Sequence, residues 1–240
     1  MGFFKFLRKE KDNNNIQNDK IDNSSIDNQA ISALSVAYIK LDDKLGLKST
    51  GKCGILVKNV DTSEFSEMKQ YISNFLTNVA DKQKIGWDLS YQSIVDNYGY
   101  LWFILKGKVI EDIVVSINAI GDTIHEKGFS KQLLAAIFEF TSGYSVNRNA
   151  TENNSDSSNS SNTINNKNQY LIYNYKNDKF YAFVPLVSSK GNIEDNSTQK
   201  NSKGNSRNHE QELKIMEQIK DDLPVEKDLG LWYPIWNIPF

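Results

Sequence analysis

Three long stretches of this chain carry almost no side chain able to enter a hydrophobic core, which limits how much of its 240 residues can fold. Lys11 to Asn28 is mostly Asn, Asp and Ser, and Ser145 to Asn168 offers only Val146 and Ile164. Ser188 to Asn208 is similar. Ordering a residue costs about 1–2 kcal/mol, and segments this polar cannot recover that cost through burial. They are expected to be disordered, solvated insertions, tolerable because the entropy of closing a loop grows only logarithmically with its length. The expected organisation is a short N-terminal segment at 1–10, a linker at 11–28 and a single domain over 29–240. That domain is interrupted at about 145–168 and 188–208.

Composition agrees with a partly unfolded chain. Hydrophobic residues make up 39%, below the usual share for a compact domain, and mean hydropathy is −0.54. The aromatic share of 11% predicts that whatever folds has a well-filled core. Net charge is −2, so no global field recruits nucleic acid or an acidic surface. The single cysteine, Cys53, excludes an internal disulfide and a cysteine-rich zinc site. No run of about 18 apolar residues is present to span a bilayer. Lys5, Arg8 and Lys9 interrupt the one N-terminal apolar stretch, which therefore lacks a secretory core. The expected location is cytoplasmic.

Between the polar stretches the apolar residues are periodic. Ile31, Leu34, Tyr38, Leu41 and Leu45 recur at helical spacing and stop at Gly46. Ile55 to Val60 reads as a strand. Thr62 or Ser63 can cap a helix whose face is Phe65, Met68, Ile72, Phe75, Leu76 and Val79. Trp87 to Val95 and Tyr100 to Lys106 predict a hairpin around Asp96-Asn97-Tyr98-Gly99. A further helical stripe runs through Ile110, Ile113, Val114, Ile117, Ile120 and Ile124, stopped by Gly128. Leu133 to Phe140 suits a buried strand by its apolar run and a helix by its alanines, the strand being preferred because the long loop and further strands follow. Tyr170 to Tyr175 and Phe180 to Leu186 read as strands pairing around Lys176 to Lys179. A last helix is expected from about His209 to Asp222, with Leu213, Met216 and Ile219 inward. Neighbouring strands joined by hairpins predict an α+β fold, a mainly antiparallel sheet with helices packed on it.

Motifs with chemical meaning are few. Gly46-Leu47-Lys48-Ser49-Thr50-Gly51-Lys52-Cys53 nearly spells a phosphate-binding loop. Cys53 stands where a magnesium-binding hydroxyl is needed, however, and a helix precedes the motif while a strand follows it. A working loop needs the reverse order, so that a helix N-terminus faces the phosphate. The simpler reading is a helix cap, a turn and the start of a strand. Asp122 and His125 share a helix face without a third metal ligand at motif spacing. Asp221, Asp222, Glu226 and Asp228 read as solvated acids. The sequence thus supplies no catalytic set, no metal site and no cofactor site, and the expected activity is binding.

The two ends of the chain are unusual. Phe3, Phe4, Phe6 and Leu7 sit beside Lys5, Arg8 and Lys9, a pattern suited to weak attachment on anionic lipid or to docking on the domain itself. Leu231 to Phe240 is the densest aromatic run, and Pro234 and Pro239 keep it out of regular helix. Leaving that much apolar area in water costs about 25 cal/mol per Å². The tail is expected to pack on the domain's own core or else to present an aromatic strip to a partner, the first being preferred.

On these residues the chain resembles the PspA-associated PspAB family. The matching pieces are Met1-Gly2-Phe3-Phe4, Ala33 to Tyr38 with Leu45-Gly46-Leu47, and Tyr98-Gly99-Tyr100-Leu101-Trp102. Gly128-Phe129, Tyr173 to Lys176 with Phe180 to Pro185, and Leu223 to Leu229 continue the match, and Trp232 to Trp236 with Ile238-Pro239-Phe240 end it. The chain departs from the family pattern at the insertions around 145–168 and 188–206, and near Arg207-Asn208-His209-Glu210. The order of elements also resembles the YbjN and type III secretion chaperone-like fold.

The family resemblance implies a non-enzymatic accessory role in envelope stress, beside the coiled-coil protein PspA and near an HtpX-like membrane protease. The expected interaction surface is Phe3, Phe4, Phe6 and Leu7, then Tyr175, Phe180 and Tyr181, then Trp232, Tyr233, Trp236 and Phe240. Two other functions remain open: a chaperone-like module that holds a client, and a nucleotide-dependent enzyme or switch using Gly46 to Cys53. For the N-terminal segment, we expect co-flotation of the full chain with anionic vesicles to fall when residues 1–10 are deleted. Unchanged flotation would remove the membrane role.

Overall fold

The computed structural model describes residues 28–81, 88–142, 168–186 and 206–240. The N-terminal aromatic segment, the linker through residue 27 and most of both insertions lie outside these. The elements begin with α1 (Asn28–Ser32), α2 (Leu34–Leu45), β1 (Leu47–Lys58), α3 (Ser63–Asp81), β2 (Leu89–Val95) and β3 (Tyr100–Gly107). They continue with α4 (Ile110–Glu126), β4 (Leu133–Ser142), β5 (Asn168–Asn174), β6 (Lys179–Phe183), β7 (Pro185–Leu186), β8 (Ser206–Arg207) and α5 (His209–Ile219). Single 3-10 turns cover Ser130–Gln132 and Leu229–Leu231.

Six strands form one antiparallel sheet in the order β2-β3-β1-β4-β5-β6, and β7 pairs with β8 alone. The fold is α+β, as the hairpin pattern predicts. Residues directly opposite across a pair share a face, so the register sorts the side chains. Cys53, Ile55 and Val57 stand with Leu105, Phe103 and Leu101 on one face. Helices cover that face. Gly107, on the same side, lies against Ile113 of α4, and Phe140 packs its ring against Tyr38 of α2. Neighbouring helices touch in the order α5, α2, α4, α3 from the β6 side to the β2 side.

Periodicity locates the helices because each has a single apolar stripe. All six stripe residues of α4 are buried. Thr62 caps α3, its Oγ1 accepting from the Phe65 amide at 3.2 Å. Gly46 ends α2 with φ of 62°, in the left-handed conformation. Three expectations need correction. The strand predicted from Ile55 begins at Leu47, because β4 pairs with Leu47 to Ser49 and β3 joins from Lys52 onward, which carries the polar half of β1 into the sheet. Its pairing with β4 slips between Ser49 and Cys53, so Thr50, Gly51 and Lys52 oppose Glu139 alone, a bulge that a hydropathy pattern does not reveal. Leu213 is 49% exposed, and Ile215 and Glu212 take the inward places of α5. Residues 206–208 are ordered, since β8 pairs with β7 and Asn208 caps α5 by accepting from the Gln211 amide.

The β2–β3 turn is built around Asp96. Its Oδ1 accepts from the Tyr98 and Tyr100 amides, each at 2.9 Å, and its Oδ2 accepts from the Trp102 indole at 2.8 Å. Partial burial opposes ionisation, but the indole and amide donors outweigh it and hold the Asp96 carboxyl below its usual value. A depressed carboxyl adds stability above the unfolded-state value and loses it as pH falls through the folded-state value. We expect Asp96→Asn to cost about 1–3 kcal/mol at neutral pH by urea denaturation. The gap to wild type should close as pH falls below about 4. A gap independent of pH would show that the ionised carboxyl is not what holds the turn.

Candidate interaction surface

After Ile219 the chain turns and runs beside β6. The Phe180 amide donates to the Pro224 carbonyl and the Glu226 amide donates to the Phe180 carbonyl, both at 2.8 Å. This segment closes the outer edge of β6 with a parallel bridge between Phe180 and Val225. From Trp232 the chain crosses to the sheet face opposite the helices. There Trp232 stacks on Tyr181, Trp236 meets Phe183 edge-on with ring centroids 4.9 Å apart, and Phe240 meets Trp102 at 6.2 Å. The C-terminal ten residues are thus a strap over the second face of the sheet. Gly54 makes room for its end: a Cβ there would come within 2.7 Å of the Phe240 ring.

Polar groups lock the strap in place. The Trp232 indole donates to the Glu226 carbonyl at 3.0 Å, and the Tyr181 hydroxyl donates to the Tyr233 carbonyl at 2.9 Å. Burial pushes the Tyr181 phenol well above its ordinary value, so it remains a donor at any physiological pH. Arg207 is the clamp. Its Nε lies within 3.0 Å of both oxygens of Glu212, its third nitrogen pairs with Oε2 at 2.9 Å, and its remaining nitrogen donates to the Trp232 carbonyl at 2.7 Å. The guanidinium also lies over the Phe183 ring. Glu212 has no solvent exposure, and it accepts from the Val184 amide as well, so the buried charge is fully partnered.

Glu226 is buried by the same logic. It accepts from Asn177 at 2.7 Å and from the Asp228 amide at 2.9 Å. Asp228 in turn caps the following turn by accepting from the Gly230 amide, and Asp222 pairs with Lys40 of α2. Three of the four acids near the last helix therefore hold backbone and helices together. His125 bonds Ser130 at 2.6 Å. Among the described residues no group of three His, Cys, Asp or Glu is placed to hold a metal ion.

The near-match to a phosphate loop also resolves into structure. Gly46 caps α2, Leu47 opens β1, and Lys52 pairs with Glu139 at 3.2 Å. Thr50, Asn168 and Tyr170 donate to the same carboxylate. Burial chiefly, with help from the Glu139 charge, pushes the Tyr170 phenol up to about 12. Gly51, with φ of 77°, sits so close to the Gly107 carbonyl that no Cβ fits.

The residues expected at a partner surface are placed as follows. Phe3, Phe4, Phe6 and Leu7 lie outside the described residues. Phe180 and Tyr181 are buried, correcting the expectation of an exposed hairpin side, because both faces of β6 are covered. The Tyr175 hydroxyl is buried against Gly121 of α4 and has no hydrogen-bond partner among the described residues. Trp232 is buried, while Trp236 and Phe240 are half-buried beneath the strap's outer side. Among the expected residues that are described, Tyr233 alone stands out in the water, at 55% exposure; Leu229, outside that set, is 53% exposed. The sequence marks Arg207 only as part of a departure from the family pattern and does not mark Glu212 at all; a cation five residues before an acid on a helix is too common to single out.

No helix among the described residues is long and apolar enough to cross a membrane. The fold defines an α+β protein whose aromatic tail is a fixed part of its surface. The chain belongs to the PspA associated protein B family, whose model matches residues 1–240. The family's description records an association with PspA. No curated protein matches, and no solved structure matches, which leaves the likeness to the YbjN and secretion-chaperone fold without a counterpart.

Removing one member of a buried ion pair costs about 3–5 kcal/mol, because the other charge stays buried. We expect Arg207→Ala to lose that much stability by urea denaturation, with a red shift of tryptophan emission as Trp232 loosens. Arg207→Lys should recover only part, since an ammonium cannot make the paired bonds and reach the Trp232 carbonyl together. A loss below about 1 kcal/mol would show that the clamp does not hold the strap.

Proposed function

We propose that this protein is a non-enzymatic adaptor of a PspA-type membrane-stress response that acts by binding a PspA-like coiled-coil protein or its assembly. The observation that carries this reading is the family match along the whole chain. The contact surface is the outer side of the strap and of the turn that leads into it, where Tyr233 and Leu229 are exposed, with the strap fixed from beneath by Arg207, Tyr181 and Trp232. Side chains held rigid before binding lose little entropy when a partner arrives, and aromatic residues are the usual anchors of such contacts.

The N-terminal Phe3, Phe4, Phe6 and Leu7, with their flanking cations, add weak attachment to the inner face of the membrane, where an HtpX-like protease is a further partner. The pairing of Lys52 with Glu139 argues against the nucleotide alternative, because it occupies the lysine a phosphate would need.

Affinity capture of the full chain from membrane-stressed cells should recover PspA. The double substitution Leu229→Ser with Tyr233→Ser should reduce that recovery about tenfold, the equivalent of 1.4 kcal/mol, while leaving the fold intact. Absence of PspA from the capture, with PspA localisation unaffected by loss of this protein, would overturn the reading.

A further inference from the structure

The two edges of the six-stranded sheet are treated differently. Pro224 to Glu226 closes β6, whereas β2 lies at the opposite end of the sheet. The Asp96 amide donates to the Tyr100 carbonyl, which makes that pair a hydrogen-bonded one. Such pairs alternate along an antiparallel ladder, so Ile94, Gln92 and Ser90 direct their backbone groups toward β3. The amides and carbonyls of Leu89, Tyr91, Ser93 and Val95 point outward. None of them has a hydrogen-bond partner among the described residues.

Edge strands are ordinarily protected by charge, proline, a bulge or a covering segment. Leu89 to Val95 reads Leu-Ser-Tyr-Gln-Ser-Ile-Val, with no charge and no proline, and all seven residues pair with β3 without a slip. Val95 is 53% exposed there.

We propose that this edge is an interface with a second copy of the same chain, formed by antiparallel pairing of the two β2 strands about a two-fold axis at Gln92. That register overlaps the strands completely and places outward-pointing residues opposite one another: Leu89 faces Val95 of the second copy, and Tyr91 faces its Ser93. Each such pair exchanges two hydrogen bonds. The exposed Val95 gains an apolar neighbour. At the axis each Gln92 meets its own image, and an amide, being donor and acceptor at once, can bond to itself where a charge would repel. The two sheets become one, with both helix layers on the same side. The strand itself selects a second copy over another protein's strand, since Leu89 to Val95 is uncharged and centred on a self-complementary amide. The flanking Asp88 and Asp96, which this register sets opposite each other, are each held by a partner in their own chain, Lys108 and the Trp102 indole. This inference does not depend on the PspA reading.

Sedimentation velocity of the full chain over a range of concentrations tests it. We expect a dimer. Gln92→Lys sets two cations face to face, and Ser93→Pro removes an outward amide without losing a bond to β3. Each should weaken association about tenfold or more, with circular dichroism unchanged. Ser90→Lys, on the same strand and away from its own image, should leave the dimer intact. Gln92→Cys should form an interchain disulfide on mild oxidation, because non-hydrogen-bonded partners have Cα atoms about 4.5 Å apart, while the native Cys53 is buried. A chain that stays monomeric, or a dimer that both Gln92→Lys and Ser93→Pro leave intact, overturns the proposal.

Discussion

The second face of the sheet has to be covered, and much of this structure follows from how that is done. An antiparallel sheet with one wet face shows apolar and polar residues in alternation. Here Leu101 to Leu105 and Ile55 to Val57 are apolar at every position and buried at every position. Four helices take one face. The other would be left in water, and the C-terminal strap covers it with the rings of Trp232, Trp236 and Phe240. A strap without regular structure has no ladder of its own, so its backbone must be held by side chains from elsewhere. Arg207 and Tyr181 do this, and the Trp232 indole is anchored in turn to the Glu226 backbone carbonyl.

The Arg207–Glu212 pair shows why a buried charge is acceptable at that point. Taking both ions out of water costs several kcal/mol each. That cost is offset only where every remaining donor and acceptor is satisfied. The Val184 amide and the Trp232 carbonyl complete the set. The pair therefore joins β8, α5, the end of β6 and the strap at one place, where the chain passes from the helix side of the sheet to the other. Asp96 has the corresponding role at the far end: it orients the Trp102 indole, against which Phe240 rests. Strap and sheet are held at both ends by carboxylate-centred networks. The aromatic tail has in this way become largely structural, with Leu229 and Tyr233 left exposed.

Helices, the Asp96 hairpin and the α+β class were legible in the sequence because each rests on short-range order. The six apolar positions of α4, the Thr62 cap and Gly46 all act within a few residues. The weakness of the Gly46–Cys53 motif was legible for the same reason, from the order of its flanking elements. The surface was less readable. Phe180 and Tyr181 look alike in a strand read alone, and only the helices on one side and the strap on the other decide that both are buried.

The sequence by itself determined which segments can fold, where the helices lie and that the chain's ends are aromatic, since periodicity and composition are properties of neighbouring residues. Tertiary structure decided the rest. It drew the polar half of β1 into the sheet, turned Glu212 and Ile215 inward in place of Leu213, and laid the tail across the open face. It also left β2 at the end of the sheet, with no strand on its outer side among the described residues. Each of these depends on partners far apart in the chain, such as Lys52 with Glu139 or Gly54 with Phe240. No local pattern records such a partner, because burial and pairing are settled by what the completed fold brings alongside.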